Sequence, residues 1–216
     1  MKLSITIPTS LKDITLKQYK HFLKVQEENN GDKFFDAKMI EIFCKVPLKE
    51  VILLKLSDSQ EIIKILSDMF DQKPALVHKF KLNSVQYGFH PQLDDLTLGE
   101  YIDLDTFIGD WDNMEKAMNV LYRPIVAKLK DKYTIKEYEV ETDVDLLDMP
   151  MDAVMSSIFF LWNLGLELST IMTNSLEQEE TKALTQYLSS TKNGDGISQF
   201  MHSLKGTLED LKISLN

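Results

Sequence analysis

Residues 11–19 read LKDITLKQY, and residues 93–101 repeat the phrase as LDDLTLGEY. The shared frame puts Thr15 and Thr97 where helix N-caps belong, with Gln18 and Glu100 three residues on to close a capping box. Ile14 and Leu96, just ahead of the caps, occupy the position of a hydrophobic staple. Each phrase therefore predicts a helix start. An internal duplication and the chance recurrence of a common cap are both open as its origin.

From the first phrase a helix is expected over residues 16–28, closed by Asn29-Asn30-Gly31. Before it, residues 2–7 alternate as a short strand would, stopped by Pro8. Residues 34–45 carry apolar side chains at helical spacing, and Pro47 suits the first position of a short helix running to Lys55. Ser57 and Gln60 read as a further capping box, opening an amphipathic helix with Ile62, Ile63, Leu66, Met69 and Phe70 on its apolar side. Between residues 76 and 89 the period changes to two, which predicts two strands turning near Asn83-Ser84.

After the second phrase, residues 111, 114, 118, 121, 122, 125 and 129 share one helical face, so a helix is expected over 111–129 with a kink at Pro124. A strand is expected over 133–140. Met149-Pro150 launches an apolar helix whose stripe is Met151, Val154, Met155, Ile158, Phe159 and Trp162. Helical character continues to about residue 188, followed by a loop at 189–196 and a last amphipathic helix to 215. The expected class is mainly α with a minor β element (α+β), a multi-helix globular domain with one or two short hairpins. No Pro-, Gly- or Ser-rich linker divides residues 1–216, so one compact unit is expected. Were there two lobes, they would be 1–74 and 90–216, joined by a β segment at 75–89.

An apolar fraction of 44% and a charged fraction of 27% suit a folded, soluble chain long enough to bury a core. Cys44 is the only cysteine, so no intramolecular disulfide forms, and a reducing cytoplasmic location is expected. The opening residues lack a signal peptide's apolar region. The apolar stretch at 154–172 contains Asn163 and Glu167 and has acidic flanks, which argues for a core helix over a membrane span.

The net charge of -10 is unevenly placed. No Lys or Arg falls between Lys81 and Lys116, nor between Lys136 and Lys182, and both gaps are rich in acids. Between them lies a basic island of Lys116, Arg123, Lys128, Lys130, Lys132 and Lys136. Such blocks suit oriented docking on a protein partner or head-to-tail self-association, or they intermix on solvated helix faces. Arg123 is the only arginine among 24 Lys and Arg residues, which with the acidic balance disfavours nucleic-acid binding.

Catalytic and cofactor signatures are missing from the sequence. The four histidines have no second His or Cys at metal-ligand spacing, and each is expected on a surface or helix face. Neither a nucleophile elbow nor a phosphate-binding glycine loop occurs. The acidic runs at Asp103 and Asp105, and at Asp143, Asp145 and Asp148, lack the offsets of an EF-hand. No cofactor, no metal and no enzymatic activity are expected.

The phrases ITLKQY, LTLGEYIDLDTFIGDW with the following MEKAMNVLYRPI, and DMPMDAVMSSIFFLWNLGLEL resemble small proteins of the structural and assembly gene blocks of tailed bacteriophages. They spread over residues 11–25 and 93–168 and contain no catalytic signature. The resemblance implies a morphogenesis protein similar to the tail assembly chaperones that hold a tape-measure protein before the tube polymerises. A permanent virion component of tail, neck or baseplate is the second reading, and an acidic DNA mimic directed at host defence is the third. A chaperone needs an exposed apolar strip. The candidates are the face of Trp111, Met114, Met118 and Tyr122, with Arg123 as polar anchor, and the face of Phe159 and Trp162. The expected partner is a tape-measure or other tail protein, with homo-oligomerisation a further expectation and no nucleic acid or membrane among the partners.

Overall fold

The computed structural model describes residues 5–28, 34–130, 132–139 and 145–177, with side chains in the last helix described to Glu167. Among them are seven α-helices and one four-stranded antiparallel sheet, which makes the fold α+β. Helix α1 spans Leu16–Glu28, α2 Phe35–Cys44, α3 Leu48–Val51 and α4 Leu56–Phe70. Strands β1 Lys79–Leu82 and β2 Val85–Phe89 follow, then α5 Leu98–Phe107, α6 Met114–Leu121, β3 Tyr122–Leu129, β4 Lys132–Ile135 and α7 Met151–Glu177.

Both repeated phrases build the same local structure. Each begins with a short 3-10 turn, at Leu11–Asp13 and at Leu93–Asp95, and each closes a reciprocal capping box. Gln18 N donates to Thr15 Oγ1 at 3.2 Å while Thr15 N donates to Gln18 Oε1 at 3.1 Å. Glu100 N donates to Thr97 Oγ1 at 3.3 Å while Thr97 N donates to Glu100 Oε2 at 2.8 Å. Two of the amide donors that a helix start leaves unpaired are thereby satisfied in each case. The first phrase does a second job. Leu16 N and Lys17 N donate to the carbonyls of Met149 and Leu147 (3.0 and 2.7 Å), and Met151 N donates back to Ile14 O at 2.9 Å. The start of α1 is thus stitched to the start of α7.

One continuous buried cluster, from Leu11 to Leu161, takes in the inner faces of all the longer helices. Aromatic rings carry much of it: Tyr19 lies 5.6 Å from Phe70 and 5.1 Å from Trp111, and Phe22 lies 5.1 Å from Phe43. Cys44 is buried here, and its loss of solvent pushes the thiol up to about 11. The stripe Met151, Val154, Met155 and Ile158 is fully enclosed, and Phe159 and Trp162 pack beside it half-buried.

The hairpin expected at 76–89 is present, with Leu82 opposite Val85 across Asn83 and Ser84. Both turn residues are left-handed (φ 47° and 68°), which matches a tight hairpin to the strand twist. The sheet order is β1-β2-β3-β4. Gly88, opposite Arg123, is required by close approach: a Cβ there would lie 2.4 Å from the Tyr133 ring.

Four expectations are corrected. The long helix over 111–129 is a 3-10 turn and α6 ending at Leu121, after which the chain passes directly into β3. The apolar spacing suits a helix throughout, but Tyr122 pairs with Phe89 and Pro124 with Tyr87 on β2. Pro124 is tolerated because its carbonyl accepts from Lys136 N (2.8 Å), just past the end of β4. A strand residue's N–H points the same way as its C=O, so the missing donor faces the place where pairing stops.

The described part of the expected strand at 2–7 is irregular, with no partner strand among the described residues; residues 1–4 lie outside the description. Ser57 does not cap α4. The helix starts two residues earlier, at Leu56 behind Lys55, without a side-chain cap, and Ser57 Oγ donates to Asp58 instead. The helix after Pro47 ends at Val51 rather than Lys55. The breaker at 29–31, the expectations beyond residue 177, Asp143 and His202 lie outside the described residues.

Candidate functional site

The strip built on Trp111, Met114, Met118 and Tyr122 faces inward. Met114, Met118 and Tyr122 have no exposed surface, and Trp111 is half-buried against Tyr19, its Nε1 buried with no partner among the described residues. Tyr122 packs edge-on to Phe80 and Phe89, and its hydroxyl donates to the carbonyl of Val77 at 2.8 Å with that of Ala153 at 3.2 Å. As a binding surface the set offers only the accessible edge of Trp111. The apolar periodicity that nominated it belongs to the core.

Arg123 is an anchor, but an internal one. Its Nη2 meets Glu100 Oε1 at 2.5 Å, with the two side chains 7% and 4% exposed. Glu100 therefore caps α5 through one oxygen and pairs with β3 through the other. Burial alone would raise its carboxyl; the Thr97 hydrogen bonds, then Arg123 and His90, outweigh that and hold it below its ordinary value. Tyr138 covers the pair from the segment after β4, with Arg123 Cζ 5.6 Å from its ring and its hydroxyl donating to Asp103 Oδ2 at 2.5 Å. Arg123 Nε has no hydrogen-bond partner among the described residues.

His90 completes the cluster, contrary to its expected surface place, with Nε2 3.9 Å from Glu100 Oε1. Gln92 N donates to Nδ1 at 3.3 Å, so the neutral ring carries its proton on Nε2, toward the carboxylate. Burial, then the Arg123 charge, lowers the His90 pKa against the pull of Glu100 and Asp95. No sequence signal placed His90 here, because its partners lie on α5 and β3 and meet it only through the fold. His21 and His78 are exposed as expected.

The sign of the pH effect follows. The unfolded chain protonates His90 near the ordinary 6.5, whereas the folded chain resists, so acidification from that point favours unfolding. Denaturant titrations between pH 8 and pH 5 should show stability falling below about pH 6.5, and a His90→Gln variant, which keeps a donor toward Glu100, should fall less steeply. Equal slopes for the two proteins would show that His90 contributes nothing.

His90 also lines a groove of about 1050 Å³ between the sheet and α7. Its apolar lining includes Leu76, Phe89, Leu129, Phe160 and Leu164, and Lys128, Lys132 and His78 supply its basic groups. Leu129 is 77% exposed and Lys128 is held by Gln86 Oε1. Two members of the basic island, Lys128 and Lys132, thus line an apolar groove, while Arg123 is buried on Glu100. By contrast, part of the first acidic block is neutralised locally: Lys20 pairs with Glu115 at 2.5 Å and Lys24 with Asp112 at 2.9 Å.

Among the described residues no group of three His, Cys, Asp or Glu side chains is placed to hold a metal ion, and no helix is long and apolar enough to cross a membrane. Comparison with protein families, curated proteins and solved structures finds no match to this chain. A groove with apolar walls and lysines along one side suits an amphipathic helix whose flank is acidic.

Proposed function

We propose that the chain is a non-enzymatic, protein-binding factor in tailed-phage particle assembly, a tail assembly chaperone acting in the cytoplasm of the infected cell. Its client is a tape-measure or related tail protein, whose helical segment lies in the groove between the sheet and α7. The observation that carries the reading is this groove, with Leu76, Phe89, Phe160 and Leu164 in its lining and Lys128 and Lys132 beside them. Elongated helical clients present repeated apolar stripes flanked by charge, and burying such a stripe keeps an unassembled client from aggregating. The phrases at 11–25 and 93–168 point to the same class of protein.

Fluorescence anisotropy with purified helical segments of the co-produced tape-measure protein tests it. Wild type should bind. Leu129→Asp should weaken binding by about tenfold or more, since it puts an unpaired charge in an apolar contact worth on the order of 1.4 kcal/mol. Lys128→Glu with Lys132→Glu should remove the salt dependence. Absence of binding by wild type, or equal binding by the Leu129→Asp variant, would remove the groove as the client site. The second reading, a permanent virion component, is favoured by exposed apolar side chains at the turn from α3 into α4 (Ile52, Leu53, Leu56) and on the outer face of α5 (Leu98, Tyr101, Ile102).

A further inference from the structure

The two repeated phrases have the same internal structure and differ in what covers them. In their 3-10 turns Ile14 N donates to Leu11 O and Leu96 N to Leu93 O, both at 3.3 Å. Tyr19 N and Tyr101 N then donate to the cap carbonyls, Thr15 O at 3.1 Å and Thr97 O at 3.0 Å. Beyond that, only the first phrase has a partner. Its Leu16 N and Lys17 N donate to Met149 O and Leu147 O, and its Ile14 O accepts from Met151 N. Ile14, Leu16 and Tyr19 are at most 1% exposed. The matching groups of the second phrase, Leu98 N, Gly99 N and Leu96 O, have no hydrogen-bond partner among the described residues. There Leu98 is 75% and Tyr101 37% exposed. The same phrase therefore makes a filled socket at α1 and an open one at α5.

The filled socket defines what fits the open one. Residues 146–151, LLDMPM, cross Thr15 with two carbonyls facing the helix-start amides and one N–H returning to the residue before the cap. Pro150 bridges to Thr15, and Leu146, Met149 and Met151 are fully buried. Bare amides at a helix start are ordinary, since water pairs them. Here they coincide with the apolar positions that the first phrase buries. Charge distinguishes the two sockets. Lys12 and Lys17 flank the first, and Lys12 draws down the carboxyl of Asp152, at the end of its acidic segment, against the larger effect of burial. The second has Asp94 in the place of Lys12 and Gly99 in that of Lys17, with Asp95 exposed beside them. Lys116 lies over the Phe107 ring at the far end of α5, and Asp94 also lines the groove that holds Lys128 and Lys132. We propose that the entrance of α5, Leu96 to Tyr101, docks an extended segment of a partner protein. Its form is apolar-x-apolar-Pro-apolar, as in residues 147–151, with Lys or Arg where residues 146–152 carry Asp. This contact does not depend on what the groove binds.

NMR titration of the full chain with the synthetic peptide LLKMPMK, residues 146–152 with lysine for both aspartates, tests it. The amide signals of Leu98 and Gly99 should shift saturably, and the unaltered LLDMPMD should bind at least about tenfold more weakly. Leu98→Asp should abolish binding without loss of fold, because the position is exposed and an acid suits the first turn of a helix. Leu98→Pro removes one docking amide and should abolish binding as well. Proline is tolerated at this first helical position because Thr97 before it is extended, with ψ 160°. In the filled socket the equivalent Leu16→Pro should lower the thermal midpoint of unfolding, whereas Leu98→Pro should not. The proposal is overturned if LLKMPMK leaves Leu98 and Gly99 unshifted at millimolar concentration, or shifts only Leu16 and Lys17 by displacing residues 146–151. Equal affinity for the two peptides, undiminished binding by either Leu98 variant, or an unchanged midpoint in Leu16→Pro would overturn it as well.

Discussion

Arg123→Met should destabilise the protein by about 3–5 kcal/mol at neutral pH, the cost of leaving a buried carboxylate without its cation. Glu100 is 3% exposed, and Arg123 Nη2 is its one close cationic partner among the described residues. The loss should depend on pH with a definite sign. In the wild type the Glu100 contribution is fully present above its ordinary value of 4.5 and is lost as pH falls through the lower folded value. Without Arg123 the Thr97 hydrogen bonds remain but one of the interactions holding the carboxyl down is gone, so it takes up a proton more readily and the gap between variant and wild type narrows toward acid.

The first repeated phrase shows how to repair the variant. There Gln18 closes the same capping box without a charge, its Oε1 accepting from Thr15 N and its Nε2 donating to Ile42 O at 2.8 Å. Glu100→Gln combined with Arg123→Met copies that chemistry and should recover most of the loss. The double-mutant cycle, read from urea unfolding, should therefore give a coupling of several kcal/mol. A single-variant loss below about 1 kcal/mol would mean that the pair is solvated and holds nothing together.

Tyr122→Ala should cost a similar amount, about 3–5 kcal/mol, because it removes a fully enclosed ring from the junction of α6 and β3. The ring lies 5.2 Å from Phe80 and 5.3 Å from Phe89, so the cavity would open between the sheet and α7. Tyr122→Phe separates packing from hydrogen bonding. It keeps the ring and removes the hydroxyl that donates to the carbonyl of Val77, at a cost of about 1–3 kcal/mol, while the carbonyl of Ala153 keeps the Ser156 hydroxyl as donor. Calorimetric unfolding of both variants checks the ordering. Were Phe as damaging as Ala, the hydroxyl rather than the ring would be what the site requires.

What could be read from sequence was what short stretches settle by themselves. The caps at Thr15 and Thr97 depend on residues three apart, and the hairpin at Asn83-Ser84 on a change of period within a few residues. Met149-Pro150 likewise marks a helix start that its neighbours specify. The reading failed where the partner was distant. Residues 111–129 keep helical spacing into β3 because Tyr122 is apolar in either structure, and only pairing with Phe89 makes it strand. Residues 5–7 alternate like a strand but have none to pair with among the described residues. Ser57 and Gln60 match the cap spacing, yet α4 starts before them.

The candidate site was legible only in fragments. The solitary Arg123 stood out, but the arginine count carries no information about Glu100, which is buried on a different element. Met114, Met118 and Tyr122 were conspicuous as a stripe, and a stripe alone does not say whether its cover is the same chain or another. Of the basic island only Lys128 and Lys132 came to line a groove, while Lys20 and Lys24 of α1 broke up part of the neighbouring acidic block. The rest of the lining includes Phe160 and Leu164 of α7 and Leu76, far away in sequence. Grooves of this kind exist only after folding.

The most direct measurement of the proposed assembly role is quantitative mass spectrometry of mature phage particles beside the lysate of cells that make this chain. A chaperone should be abundant in the lysate, recovered with its tail client, and absent from particles. The protein at a fixed copy number in every particle would contradict that account and make it a structural part of the virion.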